Sequence, residues 1–180
     1  MSKLKLLVCA LGVMSASAMA QTCKYDTIER TQPVGQYFDN KNGTVTDIVN
    51  GLIWTKCTIG ESYNEVENGC AGDSLNVKSW KEALSVANDN ESYLGQDGWR
   101  LPNIKELNSL IERACVAPSI SLSSFPSTQS AVYWSNTFDA KNINPIPGVD
   151  GLVIDFTNGT EFVTDVNRHR LIRLVKDVKQ

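Results

Sequence analysis

Residues 99–107 have the sequence W-R-L-P-N-I-K-E-L and contain a well-defined helix start. Asn103 follows a proline and lies three residues before Glu106, which is the spacing of a capping box. In that arrangement each side chain accepts a hydrogen bond from a backbone N–H that the helix itself leaves unpaired. The apolar residues that follow at helical spacing are Ile104, Leu107, Leu110, Ile111 and Ala114. The stretch therefore predicts a helix that buries this face in the core.

A second helix is predicted upstream, starting at Ser79, because Ser79 and Glu82 have the same capping spacing. The residues that form its apolar face are Trp80, Ala83, Leu84 and Ala87. The polar run at residues 88–90 is predicted to end it.

Short strands are predicted on both sides of these helices. Residues 36–56 contain Asn-Gly pairs at 42–43 and 50–51, which favour tight hairpins because both residue types tolerate positive φ. Further strands are predicted at 131–137, 152–157, 160–166 and 170–176, and long loops at 57–77, 116–130 and 138–150. Two helices, short antiparallel strands and long loops together define an α+β fold.

The composition restricts the class of protein. The chain has 180 residues, of which 42% are hydrophobic and 21% charged, as expected for a single globular domain. Its net charge of −3 argues against a nucleic-acid partner, which requires a basic surface. His169 is the only histidine, so a multi-histidine metal site and a two-histidine acid–base pair are both excluded.

Residues 1–20 have the pattern of a signal peptide. Two lysines precede an apolar run that is too short to span a membrane, and the segment ends in Ala18-Met19-Ala20, a cleavage pattern. Val8 before Cys9 is larger than the small residue that lipidation requires. We expect cleavage after residue 20, a leader at residues 21–35, one domain at residues 36–180, and export to the periplasm or out of the cell.

Four cysteines remain after cleavage: Cys23, Cys57, Cys70 and Cys115. In an exported chain they predict two disulfides, for which three pairings are possible. No C-x-x-C spacing is present, so a structural role is favoured over redox chemistry or metal binding.

Several stretches, in this order, resemble one bacterial family. They are residues 43–47, 51–57, 99–107, 125–126, 133–135 and 173–175, with the sequences GTVTD, GLIWTKC, WRLPNIKEL, FP, YWS and RLV. The family is the Lcl C-terminal domain family, named after a collagen-like adhesin, and the resemblance covers residues 36–177. It implies a C-type-lectin-like fold, similar to that of formylglycine-generating enzymes, and the pairing Cys23–Cys115 and Cys57–Cys70.

The resemblance also implies binding to sulfated glycosaminoglycans or cell surfaces as a trimer, and three features depart from that expectation. No collagen-like stalk precedes the domain, and the chain is acidic, which weakens the case for a sulfated polyanion. Asn136 stands where the family usually has a second serine.

Five residues are candidates for ligand binding: Tyr133, Trp134, Asn136, Arg168 and Arg170. An aromatic face could stack on a sugar ring, and two arginines on one strand face could bind a carboxylate or sulfate. The alternatives are that the aromatic residues form core, and that the basic run at 168–176 is a solvated edge strand. Residues with an expected structural role are Trp54, Trp99, Arg100, Pro102, Glu106 and Arg173, with Arg100 paired to a carboxylate such as Glu106.

No metal, cofactor or catalytic site is predicted. The run at residues 39–43 fails the EF-hand spacing, and Glu61, Glu65, Glu67 and Asp73 could chelate calcium only if folding brought them together. No hydrolase, metalloprotease or nucleotide-binding motif is present.

We therefore expect an exported, non-catalytic binding module whose partner is a surface glycan or an envelope or matrix protein. Its binding face would be formed by the long loops and residues 133–136. A structural component of the envelope with protein partners alone is the alternative, and a degenerate hydrolase or cysteine oxidase is the third.

Overall fold

A computed structural model of the protein describes residues 20–139 and 150–179. The predicted signal peptide, except its last residue, and most of the predicted loop at 138–150 lie outside the described residues. None of the helices in the described part of the chain is long and apolar enough to cross a membrane.

The described residues form eleven short strands and two α-helices. In chain order they are β1 (Thr22–Cys23), β2 (Tyr37–Asp39), β3 (Thr44–Asp47), β4 (Leu52–Thr55), β5 (Ser62–Asn64), β6 (Gly69–Ala71), α1 (Trp80–Asp89), α2 (Ile104–Asn108), β7 (Cys115–Val116), β8 (Val132–Phe138), β9 (Asp150–Asp155), β10 (Thr160–Asp165) and β11 (Val175–Asp177). A 3-10 turn at Tyr93–Gly95 lies between the helices. The mixed helix and sheet architecture predicted from the sequence is confirmed.

The strands pair antiparallel in four groups. A four-stranded sheet has the order β11-β4-β3-β2, and a three-stranded sheet has the order β10-β9-β8. The pairs β1–β7 and β5–β6 form two-stranded ribbons. The C-terminal strand β11 therefore pairs with β4, which brings the two ends of the domain into one sheet.

Strands β8 and β9 have buried residues on both faces, so they separate two apolar clusters. Tyr133 and Ile154 pack with α2 and the four-stranded sheet in one cluster. Trp134 and Val153 pack with α1 and Leu174 in the other. Successive residues of a strand point to opposite faces, which explains why neighbours in sequence belong to different clusters.

The starts of both helices are confirmed, but their extents differ from the prediction. The Asn103 and Glu106 side chains form a complete capping box, and α2 then ends at Asn108. The remaining predicted helical positions, Leu110, Ile111 and Ala114, are buried in irregular backbone.

Helix α1 begins and ends as predicted, with one difference in its cap and one in its buried face. Ser79 Oγ accepts the Glu82 N–H, but the Glu82 carboxylate accepts from the backbone of Lys78 and not from Ser79. Ala83 and Ala87 are buried, whereas Leu84 is exposed.

Three hairpin turns share the sequence pattern D-x-x-N-G, at residues 39–43, 47–51 and 155–159. Each connects its strands through four residues. The tight hairpins predicted at the Asn-Gly pairs 42–43 and 50–51 are therefore longer than a two-residue turn. The glycines at 43, 51 and 159 have positive φ, whereas the preceding asparagines do not. The aspartate carboxylate of each turn accepts the N–H two residues on, as an Asx-turn.

Two disulfides connect distant parts of the described chain. Cys23–Cys115 joins β1 to β7, and Cys57–Cys70 closes the loop that contains β5. This is the pairing that the family resemblance implied. Residues 21–35 pack onto the domain, since the Gln21 amide donates to the carbonyl of Ile120 and the Glu112 carboxylate accepts the backbone N–H of Thr31.

The last strand is shorter than predicted. Only residues 175–177 form a ladder. Residues 171–174 are buried, and isolated bridges are present at Arg170 and Leu171. Arg168 and His169 lie before these bridges in a bend, outside any strand.

Candidate functional site

The two aromatic residues of the predicted binding face do not reach the surface. Tyr133 and Trp134 are both 0% exposed. The Tyr133 hydroxyl lies 2.9 Å from Thr58 Oγ1, and its ring meets Phe156 edge-on with centroids 5.1 Å apart. The Trp134 indole packs so closely on Gly151 that a Cβ there would lie 2.8 Å from the ring. Both side chains form core, so stacking on a sugar would require the sheet to open.

The other three predicted binding residues are accessible. Asn136 is exposed, and its backbone N–H donates to the carbonyl of Pro102. Arg168 is exposed and Arg170 is half-buried. The predicted condition that both arginines share a strand face is not met, because Arg168 lies in the bend.

Arg170 lines a surface cleft of about 240 Å³. The other lining residues are Asn76, Gln129, Ala131, Val132, His169 and Leu171. This volume is below the range of about 300–1,000 Å³ that holds drug-sized ligands, so the cleft would accept one sugar ring or one side chain. Amide, imidazole and guanidinium groups above an apolar floor suit a polar ligand with one flat face.

The Arg170 guanidinium is only partly satisfied within the described structure. Its Nη1 donates to the His169 carbonyl at 2.8 Å, while its buried Nε has no partner there. Neither Arg168 nor Arg170 forms an ion pair with a described residue. Burial and the charge of Arg168 lower the pKa of Arg170, and Asp155 opposes them. An anionic or strongly accepting ligand group would stabilise this cation.

Arg100 and Glu106 form an ion pair, as the sequence predicted. Two guanidinium nitrogens of Arg100 lie 2.8 and 2.9 Å from the Glu106 carboxylate, and Asp177 lies 3.1 Å away. Hydrogen bonding to Glu106 raises the pKa of Arg100 although burial opposes it. The same carboxylate accepts the Asn103 N–H, so one side chain caps α2 and holds the preceding segment against β11.

Arg173 is completely buried, and its hydrogen bonds go mainly to backbone, while its Nε has no partner among the described residues. Its Nη1 donates to the carbonyls of Thr55 and Lys56, and its Nη2 donates to Thr128 Oγ1 at 2.8 Å. Burial lowers the pKa of this guanidinium. It ties the C-terminal segment to the end of β4, which is a positioning role and not a binding one.

The remaining residues with an expected structural role are all buried: Trp54, Trp99 and Pro102. Trp99 donates its indole N–H to the Tyr93 carbonyl at 2.7 Å. The Trp54 indole N–H has no partner among the described residues.

One group of potential metal ligands is present in the described part of the chain: Cys57, Glu61 and Cys70. Both sulfur atoms belong to the disulfide, so neither is the thiolate that a metal requires. The Glu61 carboxylate accepts from the Thr58 N–H and from the Ser74 hydroxyl. The group therefore does not offer a metal site in the oxidised protein.

Sequence reasoning missed a second, larger cleft of about 350 Å³ beside the leader. Arg30 lies over the Tyr25 ring at 3.6 Å, and three serines at 121, 123 and 124 line the opposite side. The residues that line this cleft come from two segments about 90 positions apart in the chain. In the sequence, only the high serine content of the predicted loop at 116–130 could have indicated the cleft.

Residues 43–176 match the family model described as the Lcl C-terminal domain. No curated protein matches the chain.

Proposed function

The chain belongs to the Lcl C-terminal domain family, and from that membership we propose that it is an exported, non-catalytic binding module of C-type-lectin-like fold. Its proposed partners are surface glycans or proteins of the envelope or matrix. It acts after removal of residues 1–20, as a leader and a single domain.

Export is supported by the chemistry of the described residues. All four cysteines from residue 20 onward are in disulfides, which persist in oxidising compartments outside the cytoplasm. The pattern of residues 1–20 supports the same proposal. Since no thiol is left in this part of the chain, the cysteine chemistry of a formylglycine-generating enzyme has no nucleophile here.

The observation that carries the proposed binding function is the partly satisfied guanidinium of Arg170 in its cleft. A charged donor without an ion-pair partner, beside amide side chains and an apolar floor, suits a carboxylate or an array of hydroxyl groups. A sugar ring offers the hydroxyl groups, and an acidic sugar offers the carboxylate as well. The proposed binding face is therefore the Arg170 cleft, together with the nearby charge of Arg168. The buried Tyr133 and Trp134 lie on β8 beside Leu171, which lines the cleft.

A glycan-array screen of the oxidised protein, at low and physiological salt, tests this function. We expect reproducible binding that weakens as salt screens the arginine charges. Arg170→Ala should reduce affinity by about ten-fold or more, because it removes a charge-assisted hydrogen bond.

Arg113→Ala is the matched control, since Arg113 is an exposed arginine outside the cleft and its loss changes the net charge equally. Equal losses for the two variants would show that net charge and not the cleft causes binding, and would contradict the proposed site.

A protein partner is the second candidate, favoured by the outer edge of the four-stranded sheet. β2 has no neighbour on one side in the described structure. Phe38 on that strand is 64% exposed, and Ile48 and Val49 in the adjacent turn are 63% and 61% exposed. An unpaired edge with apolar side chains favours pairing with another chain. A blank array followed by cross-links from this edge would support it.

A further inference from the structure

A buried lysine lies at the junction between the four-stranded sheet and the β5–β6 hairpin. Lys56 directly follows β4, and its side chain is 0% exposed. Its Nζ donates to Asp39 Oδ2 at 2.8 Å and to Asn68 Oδ1. The Lys56 ammonium, the Asp39 carboxylate and the Asn68 carboxamide therefore meet at one point. Water does not reach the ammonium past the lysine side chain, because that side chain is fully buried.

The carboxylate of this group belongs to the first D-x-x-N-G turn. Burial raises the pKa of Asp39, but hydrogen bonds from Lys56 and Lys41 outweigh it and hold the pKa well below its usual range. Lys41 Nζ lies 2.9 Å from the same Oδ2, but its side chain is 66% exposed. Only Lys56 has both Asp39 and Asn68 as partners.

The carboxamide is held in place by a tyrosine. Asn68 occupies the β5–β6 turn with a φ of +48°, and the Tyr63 hydroxyl donates to its Oδ1 at 2.9 Å. The Tyr63 ring lies beside the lysine, with its centroid 5.1 Å from Nζ. Gly43 leaves room for this ring, because a Cβ there would lie 3.2 Å from Tyr63 Cβ. The Asn68 Oδ1 thus accepts hydrogen bonds from two donors, the Tyr63 hydroxyl and the Lys56 ammonium, and both polarise its carbonyl.

We propose that Lys56 and Asn68 form an intramolecular isopeptide bond, with Asp39 as the proton carrier. In the fraction of molecules in which the Lys56 ammonium has transferred one proton to Asp39, against the low pKa of that carboxyl, the neutral amine attacks Cγ of Asn68. Tyr63 stabilises the negative charge that develops on Oδ1. As the Nζ–Cγ bond forms and the Cγ–Nδ2 bond breaks, Asp39 delivers its proton to Nδ2, and ammonia leaves. The second Nζ proton passes through Asp39 to the ammonia, which leaves as ammonium. The reaction changes no oxidation state, so it needs no oxidant or reductant.

The arrangement favours this reaction in two ways. The amine and the carboxamide are held in contact by the fold, so the step has the advantage of an intramolecular reaction. The product is also a neutral amide, which removes a charge from a position where burial of an ammonium is costly.

The bond would connect Lys56, which precedes the loop closed by the Cys57–Cys70 disulfide, to Asn68 within that loop. The hairpin would then be tied to the four-stranded sheet at two points, one of which reducing agents cannot break. This inference is independent of the proposed binding function, since none of its residues lines the Arg170 cleft.

Mass spectrometry of the full chain tests the proposal directly. The protein is purified after export, reduced, alkylated, denatured and digested with trypsin, which cleaves after free lysine but not after acylated lysine. We expect one peptide spanning residues 42–78, uncut at Lys56 and lighter by one ammonia, about 17 Da, than the same sequence with both cysteines alkylated. Separate peptides 42–56 and 57–78 without that mass loss would overturn the proposal.

A succinimide at Asn68–Gly69 would lose the same mass but leave Lys56 cleavable, so mass loss with cleavage also overturns the proposal. Asp39→Asn should abolish the loss in the intact mass, because it removes the proton carrier. Lys41→Gln is the matched control and should retain the loss, since Lys41 contacts Asp39 but not Asn68. The decisive measurement uses the unaltered chain, so it does not depend on how well the variants fold.

Discussion

Three basic side chains near the core have different kinds of hydrogen-bond partner. The partners indicate a different role for each residue. Arg100 binds two carboxylates at the edge of the sheet. Arg173 is surrounded mainly by carbonyl groups, and Lys56 meets a carboxylate and a carboxamide together. A buried charge without hydrogen-bond or ion-pair partners costs free energy. The partners of each residue therefore explain why its charge is tolerated near the core. Only the partners of Lys56 also permit covalent chemistry.

At the residue scale, Glu106 should contribute to stability through two separable interactions. Glu106→Gln keeps an oxygen for the Asn103 N–H but removes the ionic bonds to Arg100, so we expect a loss of about 1 kcal/mol. Glu106→Ala removes the cap as well and should cost about 2 kcal/mol. Urea denaturation measures both values.

Glu82→Gln serves as the control, because Glu82 occupies the equivalent position of α1 but forms no ion pair with an arginine in the described part of the chain. A loss at Glu82 as large as that at Glu106 would show that the ion pair adds nothing.

At the scale of elements, the D-x-x-N-G turns are locally alike but differ in what surrounds them. Gly51 and Gly159 both follow asparagine and have positive φ. A Cβ at Gly51 would meet nothing within 4 Å, whereas at Gly159 it would lie 2.7 Å from Ile111 Cγ2 and 2.9 Å from Ser119 Oγ. One turn projects into solvent, while the other packs on the segment after α2.

This difference predicts unequal effects of the same substitution. Gly51→Ala should cost about 1 kcal/mol, which is the penalty of positive φ alone. Gly159→Ala should cost about 1–3 kcal/mol more, because the added methyl group overpacks a buried contact. Thermal unfolding of the two variants checks the difference. Equal shifts in Tm would mean that the backbone penalty alone acts at both turns.

At the scale of the whole molecule, the two disulfides close loops of very different length. Cys23–Cys115 has a sequence separation of 92 and ties the N-terminal segment to β7. Cys57–Cys70 has a separation of 13 and lies within one loop. In the chain-entropy description, the longer loop restricts the unfolded chain more.

Removing the long disulfide with Cys23→Ala and Cys115→Ala should therefore cost about 4–5 kcal/mol, against about 3 kcal/mol for the Cys57 and Cys70 pair. A Lys56–Asn68 bond would reduce the second value further, because it already closes almost the same loop. Urea denaturation of the two double variants gives the comparison. A larger loss for the short loop would contradict the entropic explanation.

Local signals in the sequence were sufficient for the helix starts, the turn positions, the mixed architecture and the family. Caps and turns satisfy backbone groups within a few residues, so their residue types can be recognised without the fold. The Arg100–Glu106 pair was predictable for the same reason, since its members lie six positions apart.

Tertiary contacts determined the rest. Trp134 is core and not a binding platform because α1 and β9 cover it. Helix α2 ends at Asn108, and the apolar residues after it are buried outside a helix. The Arg170 cleft and the cluster around Lys56 join segments that are distant in sequence, Gln129 with His169 and Asp39 with Asn68. Burial and such long-range partners depend on how the sheets pack, and no short stretch of sequence contains that information.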